Sequence, residues 1–179
     1  MRELTTARLR LAPHAPEHLR ALIASTESYE RSSGLKAAGG LRDFIVSPDD
    51  SAEWLAALET ATETDPWRHG FALVHSESGL VIGNAGFTGP PDGHGIVEIA
   101  YGIVPEHQGR GYATEAAQAL VAYARADARV RTVCAHTLPQ TSASTRVLEK
   151  CGFRRAGQVN HSTDGLIWRW ELPIASATQ

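Results

Sequence analysis

Cysteine is scarce in this sequence, and its scarcity rules out two architectures. The two thiols among 179 residues, Cys134 and Cys151, lie far apart with no CxxC pattern, so neither a disulfide framework nor a zinc site is indicated. Both read as buried thiols in a reducing compartment. Long apolar runs are missing as well. No stretch approaches the roughly 20 apolar residues of a membrane span, and the opening MRELTTARLRLAP holds no apolar run of signal length. A soluble, cytoplasmic protein without a membrane partner is expected. Nor is there an excess of positive charge: the formal net charge is −3, which gives no general attraction to nucleic acid. Repeats, low-complexity tracts and interdomain linkers are absent too. A single domain is therefore expected over residues 1–175, with residues 176–179 as a frayed tail.

What is present is an ordinary globular balance, 42% hydrophobic and 21% charged, in a chain long enough to bury about two-thirds of its unfolded surface. Residues 7–12 alternate charged and apolar side chains (Arg8, Leu9, Arg10, Leu11), which predicts a half-buried strand ended by Pro13. Pro16 then sits at a helix start, with Leu19, Leu22 and Ile23 at helical spacing. His14 and His18 are spaced like metal ligands on a helix, but no third ligand accompanies them, and both read as exposed. Residues 28–43, polar and with three glycines, read as a loop with at most one helical turn. Ser47-Pro48-Asp49-Asp50 predicts the start of a helix carrying Trp54, Leu55 and Leu58 on one face and reaching about Thr62. The acidic residues there suit the positive end of a helix and call for no calcium ion.

Two apolar runs, 70–75 and 80–87, joined by SESG, predict a hairpin, and the run containing Glu98 adds a third antiparallel strand. After a long Ala-rich helix come a strand at 130–137, a helix from about Thr141 to Cys151 ended by Gly152, and a last hairpin turning at Thr163-Asp164-Gly165. The fold class is α/β (α+β) on one mixed, largely antiparallel sheet.

The working part is placed at residues 98–126, EIAYGIVPEHQGRGYATEAAQALVAYARA. Its first third has a strand's β-branched character, Pro105 and Gly109 break it, and a helix opens at Gly111. A strand, Gly-rich turn and helix in that order present backbone N–H groups with no intrahelical partner at the positive end of a dipole, a natural seat for a pyrophosphate. Gly109 and Gly111 lack the Cβ that would hold an anion away. A P-loop is disfavoured, because the turn lacks the Lys-Ser/Thr ending.

Gln108-Gly109-Arg110-Gly111-Tyr112-Ala113 resembles the Q/R-x-x-G-x-G/A motif of the GNAT N-acetyltransferases. Together with EIAYGIVPEHQGRGYATEA, HTLPQTSASTRVLEKCGFR, the opening TTARLRLAP and the hairpin GLVIGNAGF, the chain is similar to the RimJ/RimL-like branch, which acetylates ribosomal-protein N-termini. The resemblance implies a sheet splayed at its middle strands and flanked by helices. It implies that acetyl-CoA is the cosubstrate, that no metal is needed, and that the second partner is an amine: a protein N-terminus, an amino acid, a polyamine or an antibiotic. Dimerisation is common in such proteins.

Carried over residue by residue, the resemblance assigns the pyrophosphate to amides of Gly109, Arg110, Gly111, Tyr112, Ala113 and Thr114, and the pantetheine arm to strand residues Ile103 and Val104, with Gln108 where relatives often have Arg. Arg110 and Arg146 offer cationic contact to phosphates, with a simple solvated charge as the other reading of Arg110. Glu98, flanked by Ile96, Val97 and Ile99, is the general base the resemblance implies, usually acting through water; an edge or salt-bridged glutamate is the plainer reading. Ser144 matches the serine of the family's N-x-A-S segment and is the hydrogen-bond donor toward the CoA sulfur, or else a helix cap. An N–H of Ile103 or Val104 would polarise the thioester carbonyl.

Two departures stand out. Thr141 replaces the usual Asn near the pantetheine, and Leu148 stands where many relatives carry an acidic tyrosine. These motivate an alternative, a non-catalytic acyl-CoA-binding or sensing module. His136 occupies a position where some relatives carry a catalytic carboxylate, and an imidazole there could share proton traffic; a packing or solvent-facing histidine is the plainer reading.

Overall fold

The computed structural model describes residues 3–46, 52–162 and 164–174. In chain order the strands are β1 (Leu4–Thr5), β2 (Leu9–Pro13), β3 (Lys36–Ala37), β4 (Phe71–His75), β5 (Leu80–Phe87), β6 (Ile96–Ile103), β7 (Thr132–Thr137), β8 (Arg154–His161) and β9 (Gly165–Pro173). The helices are α1 (Pro16–Ala24), α2 (Thr26–Ser33), α3 (Leu41–Ile45), α4 (Ala52–Thr60), α5 (Pro66–His69), α6 (Tyr112–Arg125) and α7 (Ala143–Lys150). The strands form one sheet in the order β1-β2-β4-β5-β6-β7-β9-β8, with β3 beside β5. Along that path only β6 and β7 run parallel. This is the mixed, mostly antiparallel arrangement expected.

The sheet opens between β6 and β7. Their pairing runs from Ile96↔Thr132 to Glu98↔Cys134 and stops there, although β6 continues to Ile103 and β7 to Thr137. Over that length β7 keeps its full ladder with β9, from Thr132↔Pro173 to Thr137↔Trp168, and β6 keeps its ladder with β5, from Phe87↔Ile99 to Gly83↔Ile103. Each half of the sheet is held by its outer neighbour, so the middle strands are free to diverge.

Helices cover both faces. α6 buries Ala116, Ala117, Leu120, Val121 and Ala124, apolar residues that repeat at its 3.6-residue period, the three alanines letting the helix sit close to the strands. Tyr123 of α6 meets Phe87 of β5 at 5.7 Å between ring centroids, so α6 lies on the face reached by odd-numbered residues of β5 and β6. The even-numbered face takes α3, whose Phe44 ring lies over Gly102.

Several expectations need correction. The segment 28–43 is not a loop: it holds most of α2, all of β3 and the start of α3. Ser25 accepts from the amide of Ser28 to cap α2, Gly34 ends it at φ +71°, and burial of Tyr29 outweighs its polar composition. Short α5, capped by Asp65 through the amide of Trp67, also escaped the sequence reading. Pro13 ends its strand as expected, as the last residue of β2, where it still pairs with Phe71. His14 is buried at 2% exposure, and His18 is half-buried. Cys134 is buried while Cys151 is only half-buried; both thiols are free. The helix start assigned to residues 47–50 and the Thr163 of the final turn lie outside the described residues. No helix among the described residues is long and apolar enough to cross a membrane.

Candidate active site

After β6 the chain makes one 3-10 turn, Pro105–His107, and enters the glycine turn with φ +74° at Gly109 and +86° at Gly111. Only glycine adopts this left-handed backbone without strain. Gly111 is the N-cap of α6, no side chain caps it, and the first helical bond is from the Glu115 amide to the Gly111 carbonyl at 3.2 Å. The amides of Tyr112, Ala113 and Thr114 are therefore left without intrahelical partners, as the sequence suggested.

The turn is braced from behind. Glu115 accepts from Thr6 Oγ1 at 2.7 Å, the Arg8 amide at 3.1 Å and Arg8 Nε at 2.5 Å. Burial alone would push this carboxyl up, but those hydrogen bonds and the Arg8 charge outweigh it and hold its pKa low. Arg8 also stacks over the Tyr112 ring at 4.6 Å, and the Tyr112 hydroxyl bonds His75 Nε2 at 3.0 Å. The Tyr112 side chain is thus engaged away from any ligand, and only its amide is available.

In front of the turn lies a cleft of about 580 Å³. Ile103, Gln108, Gly109, Gly111, Tyr112, Ala113 and Thr114 line one side, and Ser142, Ser144, Arg146, Val147 and Lys150 of the α7 segment line the other. Gln108 turns back, its Nε2 donating to the Ile103 carbonyl at 2.8 Å. Val104 is a correction: it is 0% exposed, and its amide donates to the Ile82 carbonyl at 2.9 Å, so it offers no N–H to a thioester. Alternation along an antiparallel ladder then turns the Ile103 and Tyr101 amides toward the gap beside β7. Arg110 and Thr141 are exposed and stand outside the cleft lining.

His107, Tyr101, Phe44 and Lys150 also line the cleft and were missed. Lys150 was legible, since it shares a helix face with Arg146 at i+4. The buried His107 Nδ1 has no partner, a polar atom that a ligand in the cleft would satisfy. Tyr101 reaches across the gap, its hydroxyl 3.4 Å from the Ser144 carbonyl, and burial raises its pKa further above the usual phenol range. The capping role belongs to Ser142, which forms a capping box with Thr145. Ser144, exposed on the first turn of α7, is left free for other work. Leu148 is buried at 1% and carries no proton to donate.

A second cleft of about 630 Å³ lies on the even-numbered face. Its floor is Asn84, Gly86 and Thr88 of the β5 segment with Ala100 and Gly102 of β6; Leu19, Phe44, Arg68 and His69 are among its walls. Phe44, Tyr101 and Gly102 belong to both clefts, so the two meet where β6 leaves β7. Glu98 lies two residues before Ala100 on the same face, and its carbonyl accepts from the Thr88 amide at 3.0 Å. Its carboxylate Oε1 lies 2.8 Å from His136 Nδ1, with side chains 32% and 21% exposed respectively. Neither residue is part of either cleft lining, and a step of two strand residues is about 7 Å, so contact with a group above Ala100 would require a bridging water. Among the described residues no group of three or more His, Cys, Asp or Glu could hold a metal ion.

This architecture is shared with known acetyltransferases. Residues 8–154 match the family described as acetyltransferase (GNAT) domain, and the chain belongs to that family. Among curated proteins it is similar to the uncharacterized N-acetyltransferase YjdG of Bacillus subtilis, 33% identical over 81 residues covering 45% of this chain and 48% of that protein. The chain thus aligns with about half the length of such relatives. Among solved structures, a GnaT-family acetyltransferase from Bordetella pertussis is 26% identical with a TM-score of 0.65, covering 96% of this chain and 99% of that one. The RimL ribosomal L7/L12 α-N-protein acetyltransferase in complex with coenzyme A shares the fold at 13% identity and a TM-score of 0.67, covering 98% and 99%.

Proposed function

We propose that this chain transfers an acetyl group from acetyl-CoA to a primary amine by direct attack in a ternary complex. The observation that carries this reading is the meeting of two clefts at Tyr101 and Gly102, one lined by the glycine turn and the other opening on the opposite face of β6. A donor and an acceptor bound in the two would face each other across the gap in the sheet.

In this reading the amides of the glycine turn hold the pyrophosphate, and Arg146 and Lys150 add positive charge beside it. The pantetheine arm lies along Ile103, whose amide faces the gap. Glu98, paired with His136, accepts a proton from the attacking amine through water. The amine nitrogen forms a bond to the thioester carbonyl carbon while an amide from Ile103 or Tyr101 donates to the developing oxyanion. The C–S bond then breaks, and the thiolate takes a proton from the Ser144 hydroxyl or from water. The two free thiols and the absence of an apolar span among the described residues support a cytoplasmic enzyme, and residues 1–175 are taken as one acetyltransferase domain. The RimL likeness supports a protein N-terminus or small amine as acceptor, in a chain that acts alone or as a homodimer.

A screen of amines and N-terminal peptides read by free-thiol release tests the proposal. An acetyl acceptor should give thiol release that Glu98→Gln abolishes while coenzyme A still binds. Buried Leu148 in place of a hydroxyl-bearing side chain favours one other reading, an acyl-CoA sensor. It requires that coenzyme A raise the melting temperature while no amine accelerates thioester cleavage.

A further inference from the structure

Gly102 is a glycine that its own backbone does not demand. Its φ lies outside the positive range in which only glycine is at ease. A Cβ there would nevertheless stand 2.7 and 2.8 Å from Cε1 and Cζ of Phe44, closer than carbon atoms pack. The missing side chain makes room for the ring. On the neighbouring strand a Cβ at Gly83 would lie 2.1 Å from the Gly102 carbonyl oxygen. Two successive absences of a side chain, at positions 83 and 102, therefore let β6 sit close to β5 and let Phe44 settle onto it.

The place where the ring settles is the joint of the two clefts. The donor cleft runs from the glycine turn to Tyr101, Gly102 and Phe44, and the second cleft begins at the same three residues. Resting on the transferase reading above, a thioester carbonyl must stop at this joint to be open to an amine from the far side. Its acyl substituent then points past Gly102. Tyr101 and Gly102 belong to the sheet, so the side chain contributed from the helical layer opposite is Phe44. It is large, apolar and 41% exposed.

We propose that Phe44, seated on Gly102, is the end wall of the acyl site and restricts the donor to a two-carbon acyl group. A longer chain meets the ring, and displacing the ring would break its contact with the strand. Discrimination by a wall of this kind is steep, on the order of tenfold or more for each methylene.

The test uses the full chain with acetyl-, propionyl- and butyryl-CoA, reading binding by calorimetry and turnover by thiol release. The native protein should lose at least about a hundredfold in affinity or kcat/KM from acetyl to butyryl, and Phe44→Ala should erase most of that difference. Gly102→Ala, whose methyl group would stand 2.7 Å from the ring and so unseat it, should alter the chain-length profile measured with propionyl-CoA. Unacylated coenzyme A serves as the folding control, and Phe44→Leu replaces Phe44→Ala if that control fails. Equal chain-length profiles in the native and Phe44-substituted proteins would overturn the proposal, as would a native protein indifferent to chain length. If acyl-CoA binding follows Phe44 but no amine ever releases thiol, the wall stands and the transferase reading falls. If thiol is released with an unaltered profile, only the wall falls.

Discussion

Nδ1 of His136 and Oε1 of Glu98 are 2.8 Å apart, on neighbouring parallel strands at the last point where those strands touch. Glu98 pairs with Cys134, and two residues further on the same face of β7 is His136. Beyond this pair the sheet parts. The carboxylate is thus fixed at the mouth of the gap, with the imidazole held against it.

If the pair works as a unit, Glu98→Gln and His136→Ala should each lower kcat, the former by about a hundredfold to ten-thousandfold, the range for a positioned general base. The double variant should lose little more than Glu98→Gln alone, because groups acting together are not additive. Coenzyme A affinity should be unchanged throughout. A purely structural pair would instead lower the melting temperature in step with activity.

Two serines two residues apart should behave oppositely. Ser142 caps α7 and is bonded to Thr145 in both directions, so Ser142→Ala should cost about 1 kcal/mol and lower the melting temperature by roughly 2–4 °C. Ser144 has no capping bond, and Ser144→Ala should leave the melting temperature unchanged while reducing kcat. Thermal melts beside steady-state rates distinguish the two.

At Gly111, φ of +86° and the approach of Arg8 Nη2 to 3.1 Å of a would-be Cβ both oppose any side chain. Gly111→Ala should therefore destabilise by about 1–2 kcal/mol and weaken coenzyme A binding more than Gly109→Ala. A Cβ at Gly109 meets nothing within 4 Å and suffers only from its φ of +74°. Calorimetry with coenzyme A and thermal melts on both variants give the comparison.

His14 supplies an acid-side weakness. Burial lowers its pKa from 6.5 to about 4; nearby Asn84 opposes the shift, and the charges of His18 and His69 add to it. Its Nε2 and Oδ1 of Asn84 are both buried without a hydrogen-bond partner. With the folded pKa below the unfolded one, its neutral form gives full stability above about pH 6.5, and that stability is lost as the pH falls toward about 4. The loss is roughly 3 kcal/mol. Denaturant midpoints measured from pH 7.5 to 4.5 should fall less steeply in His14→Gln than in the native protein, if that variant folds with a comparable midpoint at neutral pH.

Much of this molecule follows from short-range rules. Residues 98–126 carry β-branched positions, then Pro105 and two glycines, then an alanine-rich helix, and the observed β6, turn and α6 follow that order. Cap and turn chemistry of this kind depends on neighbours within a few residues, so it is written in the string itself. The polar segment 28–43 shows the limit: α2 exists because Tyr29 finds a buried site, and local composition has no means of announcing that. The site depends on long-range contacts still more. Glu98 meets His136, Tyr101 meets the backbone of Ser144, and Phe44 meets Gly102, pairs 38, 43 and 58 positions apart. Their meeting depends on where two strands stop pairing and which helix covers which face. Those outcomes are settled by packing the whole chain at once, and only the folded sheet could decide them.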